Sequence, residues 1–398
     1  MKRGIAWNRR LKAIAVGLGI ALSLLTARHW YETYRFGHPI CDNCRPDFPV
    51  LYSGARLMWE NRSSLYDLER QLAIQKAIDP RIGNSVLGFA YPPFTAFLLM
   101  PLGTISFSNA FLVMTVMNGL LLSIAVKLLV GHLSLNREQT TWLLSATLCN
   151  FGVHSTILQG QTSLAALLLV TLFLRSVRQD EQAKAGLWSS ALSFKPQLLP
   201  VPMIILGARR KLRALIVSVG IIGALAVFSA ILVGPKGIAD YIDLSRRFSA
   251  LESDLGTNPQ EMQNLRALAF YVPLGGASAL YVWAALSAAI VVGAVMLNRK
   301  RCGGDRGAVM QWIGNVTAIL LLSPHLHAHD LALLVVPSAL TLSLFRESIP
   351  AAVAIGLVLI GLLPLLPFVL AHPLPPIMPF ILLSLFAVSV WFVSRSAT

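Results

Sequence analysis

Stretches of about twenty predominantly apolar residues recur along almost the whole chain of 398 residues. A helix rises 1.5 Å per residue, so such a stretch matches a bilayer whose hydrocarbon core is about 30 Å thick. Lipid offers no partner for unpaired backbone groups, which leaves the helix as the way each stretch satisfies its own amides. Charged residues make up only 13% of the chain, about half the share of a soluble domain. The sequence predicts an all-α, polytopic membrane helix bundle, one integral domain over residues 1–398.

Charge sets the orientation. Lys and Arg number 33 against 18 Asp and Glu, for a net charge of +15. In so apolar a chain this excess reads as cytoplasmic loops under the positive-inside bias, in contact with anionic headgroups, and not as a nucleic-acid surface. Five cations precede the apolar run 13–27, which fixes the N-terminus inside. The same pattern fits a signal peptide, but the later apolar runs favour an uncleaved first helix.

Further spans are expected at 84–104, 108–131, 140–157, 160–175, 185–207, 214–233, 272–297, 310–324, 330–345, 350–370 and 377–394. That gives about twelve with both ends inside. The short pair within 140–175 allows broken half-helices around Gln159-Gly160-Gln161. If 185–207 turns back on itself at Lys195-Pro196, the parity changes. The domain then divides into an outer loop over 28–83, a first helix module over 84–233, a second outer loop over 234–271 and C-terminal helices over 272–398. In the first loop Leu51, Tyr52, Ala55, Met58 and Trp59 recur at helical spacing, predicting amphipathic helices lying on the membrane surface. Cys41 and Cys44 read as a local disulfide or two plain thiols; no nearby ligands make them a zinc site.

Polar residues gather at one mouth of this arrangement. Asp47, just before the Tyr52 stretch, is either a general base or an ordinary cap on the next helix. Lys195 lies mid-run with no Asp or Glu between 182 and 233, so it needs an anionic ligand or a distant carboxylate. His325, His327, His329 and Asp330 lack the HExxH pattern of a metalloprotease; phosphate binding suits them better than a metal, and a polar helix start is the plain alternative. Gln161 follows a flexible glycine at depth. Tyr91-Pro92-Pro93 stiffens the entrance of the next apolar run, because proline is best tolerated in a helix's first turn. No nucleotide-binding loop, serine-hydrolase elbow or iron–sulfur spacing occurs.

The ordered set resembles glycosyltransferase family 87, membrane mannosyltransferase-like enzymes of the GT-C fold that use polyprenyl-phosphate sugars. The landmarks are Asp47-Phe48 with Tyr52, Leu65-Tyr66, Tyr91-Pro92-Pro93 with Pro101, Gly160-Gln161, Ala185-Gly186 leading to Lys195-Pro196, and Ser323-Pro324 with the His/Asp run. The resemblance covers roughly residues 40 to 340.

It implies a GT-C-like bundle and inverting transfer on the outer face of the plasma (bacterial inner) membrane. Asp47 would be the base, and Lys195, His325, His327 and His329 would contact the donor phosphate. Tyr52, Tyr91, Gln161, Arg266 and Asp330 would line the substrates. The implied partners are a polyprenyl-phosphate-linked sugar, a glycan or glycolipid acceptor and the lipid bilayer, with no cofactor and no nucleic acid. The competing reading is a transporter or lipid-linked-sugar flippase, whose signature would be broken helices in corresponding positions of two halves. Here the candidate breaks, near Gln159 and at Lys195-Pro196, fall in the same half.

Overall fold

A chain this apolar closes its backbone hydrogen bonds locally, and among the described residues it is helical without strands. The computed structural model describes residues 2–37, 46–82, 86–249, 262–271, 276–299, 304–366 and 377–395. Cys41, Cys44 and Cys302 lie outside them. The helices are α1 (Lys2–Phe36), α2 (Phe48–Glu60), α3 (Leu68–Ile78), α4 (Pro93–Gly103), α5 (Phe107–His132), α6 (Arg137–Leu148), α7 (Phe151–Gln159), α8 (Ser163–Arg178) and α9 (Gln182–Ala191). They continue with α10 (Pro200–Ala208), α11 (Leu212–Ser249), α12 (Leu265–Tyr271), α13 (Gly276–Arg299), α14 (Gly304–Leu322), α15 (Val335–Ser343), α16 (Ala351–Leu362) and α17 (Ile377–Arg395). Of these, α1, α5, α11, α13 and α17 are long and apolar enough to cross a membrane.

Cross-contacts give each helix a direction. Lys12 pairs with Glu138 at 3.1 Å, and farther along Thr26 Oγ1 lies 2.8 Å from His154 Nδ1, so α6 and α7 run parallel to α1. The α6–α7 run breaks at Cys149-Asn150, where the Asn150 side chain accepts from Val153 N and restarts the helix. Gln139 donates to the carbonyls of Leu342 and Phe345, while Asn150 donates to that of Leu331, so α15 descends beside them. Two ends emerge. One carries Lys12, Glu138, Asp180 and the cations from Arg209 to Arg213; the other carries α2, α4 and the strap 323–334.

The segment expected as a span over 185–207 is a hairpin that enters and leaves at the same end. Asp180 and Lys211, at its two feet, form an ion pair at 2.7 Å. Ser189 on α9 donates to Ser218 on α11 at 3.0 Å, so these two helices run parallel and α10 returns between the turns. Two short 3₁₀ turns, Leu192–Phe194 and Pro196–Leu198, form the tip around Lys195, whose backbone is non-helical. Pro196 supplies the reason: it disfavours helical geometry in the residue before it. At the feet Arg209 donates to Asn298 and Gln311 and lies over the Trp312 ring, tying the hairpin to α13 and α14.

The expected span at 84–104 also differs. Its helix starts at Pro93, as the paired prolines predict, but α4 has 11 residues, about 16 Å of rise, too short to cross. It packs on α2 instead, where Gly103 meets the backbone of Ala55 and Arg56. For the same reason α2 does not lie loose on a surface: Phe48, Leu51, Tyr52, Ala55 and Met58 are buried, and only Arg56, Trp59 and Glu60 are exposed. Phe48, Tyr52, Phe107 and Phe111 pack there, mostly tilted or edge-on, into a small aromatic core separate from the main bundle core. Finally α11 bends at Gly234, whose φ of 71° suits glycine, and its far end 235–249 crosses to the α2–α4 layer. There Tyr241 meets Tyr66 and Phe248 meets His325.

Candidate active site

Five consecutive non-apolar residues, Gln159 to Ser163, separate the apolar helices α7 and α8. Gly160 ends α7 in the left-handed conformation (φ 60°), which lets the chain reverse and leaves Gln161 facing the start of α2. Its amide works in two directions. Nε2 donates to Asp47 Oδ2 at 2.9 Å, and Oε1 accepts from the Tyr91 hydroxyl at 3.0 Å. Asn118 fixes the backbone by donating to the Gln161 carbonyl at 3.0 Å.

Asp47 sits at the N-cap of α2 but makes no side-chain cap hydrogen bond. Its carboxylate, 30% exposed, is turned instead towards Gln161 and the strap. His329 Nδ1–H donates to Gln159 Oε1 at 2.8 Å and lies 3.9 Å from Asp47 Oδ2. Its Nε2 lies 3.5 Å from Asp330 Oδ2. Asp330 in turn meets Lys195 Nζ at 2.7 Å and the Ser163 hydroxyl at 2.6 Å, while Lys195 also donates to Ser163 at 3.0 Å. Lys195 and Asp330 are each 2% exposed. Asp47, Gln161, Tyr91, His329, Asp330 and Lys195 therefore form one connected cluster at one end of the bundle.

His327 stacks on His329, with ring centroids 5.8 Å apart, and is half-buried at the start of the 3₁₀ strap Ala328–Leu334. The other expected residues stand apart. His325 faces Arg266, whose Nη1 is 3.3 Å from its Nδ1. Arg266 is fully buried and also donates to the carbonyls of Phe248 and Pro324, while Asn264 holds that of Ser323. This group anchors the strap. The Tyr52 hydroxyl donates to the Ile105 carbonyl at 2.8 Å, joining α2 to the turn before α5. Burial raises the Tyr91 phenol above its usual pKa, so it remains a donor to Gln161.

Ser163 was not singled out from sequence, and Gln159 entered only as part of the Gln159-Gly160-Gln161 break; the signal for both was available in the polar run that contains them. The Lys195 partner lies 135 residues away in sequence. No group of His, Cys, Asp and Glu among the described residues has the arrangement of a metal site. Chemically, the cluster offers a partly exposed carboxylate supported by an amide and an imidazole, with buried charges balanced behind it. Such a group can take a proton from a hydroxyl.

The family model described as glycosyltransferase family 87 matches residues 89–324. No curated protein and no solved structure matches the chain. The matched region contains Tyr91, Gln161, Lys195 and Arg266, whereas Asp47 and the run His325 to Asp330 lie beyond its ends. It spans more than half of the sequence, and the chain belongs to glycosyltransferase family 87.

Proposed function

We propose that the protein moves a hexose, mannose-like, from a polyprenyl-phosphate donor to an acceptor hydroxyl, with inversion and with Asp47 as the base. The observation that carries this reading is the setting of Asp47. It is a partly exposed carboxylate released from capping, held at 2.9 Å by Gln161 and close to His329. The acceptor hydroxyl gives its proton to Asp47 while its oxygen attacks the anomeric carbon. The bond from that carbon to the phosphate oxygen breaks on the opposite face, and the lipid phosphate leaves with the electron pair. A phosphate leaves without a protein acid, so one carboxylate suffices where glycoside hydrolysis usually uses two. His327, half-buried and stacked on His329, is the ring best exposed to meet the departing charge.

The reading includes a topology. The traverses are α1, α5, α6 with α7, α8, α11, α13, α14, α15 with the strap from residue 330 onward, α16 and α17, with the α9–α10 hairpin dipping in from the cytoplasmic end. Relative to about twelve expected spans, α4 and the hairpin drop out and both termini stay inside. Support comes from the cations Arg175, Arg178, Lys184, Arg209, Arg210, Lys211 and Arg213, which the hairpin geometry brings to one end, as the positive-inside bias favours. The cluster then opens on the extracytoplasmic side, where nucleotide sugars are absent and a lipid-linked donor is required. The GT-C-like reading of the fold rests on the family membership and the all-helical architecture.

The test supplies purified protein with a panel of radiolabelled polyprenyl-phosphate sugars and candidate acceptors. Wild type consumes one donor, and Asp47→Asn loses about 10²- to 10⁴-fold in transfer while still binding polyprenyl monophosphate. Unchanged transfer by Asp47→Asn refutes the assignment of the base.

A further inference from the structure

Lys195 would ordinarily be read as a phosphate contact, because a cation deep in an apolar segment needs an anion. It already has one. Its ammonium touches Asp330 Oδ1 at 2.7 Å and Ser163 at 3.0 Å, with both ends of the pair nearly sealed from solvent. At this separation the two charges cancel for any group farther off, and a phosphate brought to Lys195 would also be brought to Asp330. What the pair does have is a neighbour: the other oxygen of Asp330 faces His329 Nε2, and the far side of that ring faces Asp47.

Three separate elements converge on this pair: the hairpin tip supplies Lys195, the first residue of α8 supplies Ser163, and the strap supplies Asp330. The strap is held from outside the pair as well. The Thr156 hydroxyl is shared between the carbonyls of Gly152 at 2.7 Å and His329 at 3.1 Å, and Asn150 donates to that of Leu331. The backbone around His329 is thus fixed without Lys195, whereas the charge state of Asp330 is not.

We infer that Lys195 is a positioning residue: it keeps the Asp330 carboxylate ionised and in register, so that a fixed negative charge lies against the His329 ring, whose other nitrogen faces Asp47. The inference deepens the proposed function and rests on Asp47 as the base. A buried carboxylate that loses its cation becomes protonated, since an isolated charge is too costly there. Asp330 then turns from a negative oxygen into a hydroxyl that can donate to His329 Nε2, which carries no proton while Nδ1–H donates to Gln159, and the charge felt by the ring beside Asp47 changes.

The experiment uses the full chain in nanodiscs, with Lys195→Met, Lys195→Arg, Asp330→Asn, the double variant Lys195→Met/Asp330→Asn, and Asp47→Asn. Tryptophan fluorescence reads the binding of polyprenyl monophosphate. Single-turnover transfer, from the sugar donor that wild type consumes, is followed against pH. Difference infrared spectroscopy looks for a protonated carboxyl. We expect Lys195→Met to bind the lipid phosphate as wild type does, to lose about 100-fold in transfer with a displaced pH profile, and to gain a protonated-carboxyl band that the double variant lacks.

The double variant should lose no more activity than the worse of its single parents, because the two residues act as one unit. Lys195→Arg, which keeps the charge, should keep the wild-type pH profile. Two results overturn the inference: a tenfold or greater loss of polyprenyl-monophosphate affinity in Lys195→Met, or a double variant whose loss is the product of the single losses. Should Lys195→Met fail to fold, Lys195→Arg and the double variant still decide: weakened lipid-phosphate binding in the double variant, or a displaced pH profile in Lys195→Arg, refutes it. Full transfer by Asp47→Asn would instead sink the proposed function itself, so the two failures read differently.

Discussion

Replacing Gly160 with alanine tests whether Asp47 and Gln161 act as a pair. The glycine has φ of 60°, a conformation that costs an alanine about 1–2 kcal/mol. A methyl group there would also sit 2.7 Å from Phe48 Cβ. Carbon contacts settle at about 3.5–4.0 Å, so Phe48 or the turn must give way by about 1 Å. Overpacking of this kind costs about 1–3 kcal/mol more, for a combined loss of about 2–5 kcal/mol in stability. Phe48 is fully buried in the aromatic core and follows Asp47 directly, so the carboxylate is displaced by a similar amount. The 2.9 Å hydrogen bond from Gln161 does not survive that movement. A misplacement of about 1 Å lowers turnover by about 100-fold. Thermal unfolding in detergent measures the first effect, and transfer from the radiolabelled lipid-phosphate sugar, assayed below the unfolding temperature, measures the second. A Gly160→Ala protein with wild-type melting and wild-type turnover would refute both the turn geometry and the coupling of Phe48 to Asp47.

Gln161→Leu keeps the volume but removes the donor to Asp47 and the acceptor for Tyr91; transfer should fall about 10- to 100-fold, and stability by about 1–3 kcal/mol from the unpaired phenol. For the hairpin, a short bis-maleimide should join Asp180→Cys to Lys211→Cys in a chain freed of its four native cysteines, because the native side chains touch at 2.7 Å. A straight helix would hold these positions on the order of 40 Å apart, and no cross-link would form. His325 gives a pH dependence: burial, and then Arg266 beside it, lowers its pKa from 6.5 to about 3. The unfolded chain takes up this proton below about pH 6.5 and the folded chain does not, so stability falls on acidification by up to about 1.4 kcal/mol per pH unit from this residue. Melting temperatures measured downward from pH 6.5 should show the decline, and His325→Gln should flatten it.

The helical class followed directly from the apolar runs, and the start of α4 at Pro93 from the paired prolines. What the runs did not reveal is whether a segment crosses or returns. Residues 185–207 have the composition of one traverse, and two half-length helices in the same surroundings have that composition too. The pairings of Asp180 with Lys211 and of Ser189 with Ser218 separate the alternatives, and both contacts are tertiary. The periodicity of α2 was legible, but its burial was not, because the partner α4 is apolar on every side and gives no sign of which face it offers. At the candidate site, the lack of a nearby acid marked Lys195 as needing a distant partner, and Asp330 was already in view within the histidine run. Their union depends on a hairpin tip meeting a strap far along the chain, which local spacing does not encode.

The hairpin also sets a depth. From Gln182 at its foot, α9 and the following 3₁₀ turn rise by about 20 Å to Lys195. On the proposed topology, with its feet level with one headgroup boundary, the tip stops about 10 Å short of the other. The Lys195–Asp330 pair therefore lies about a nanometre below that boundary. Asp47 stands on the other side of the His329 ring and stays partly exposed, so a hydroxyl arriving from water has less far to travel, and a thicker bilayer would deepen the charged pair first.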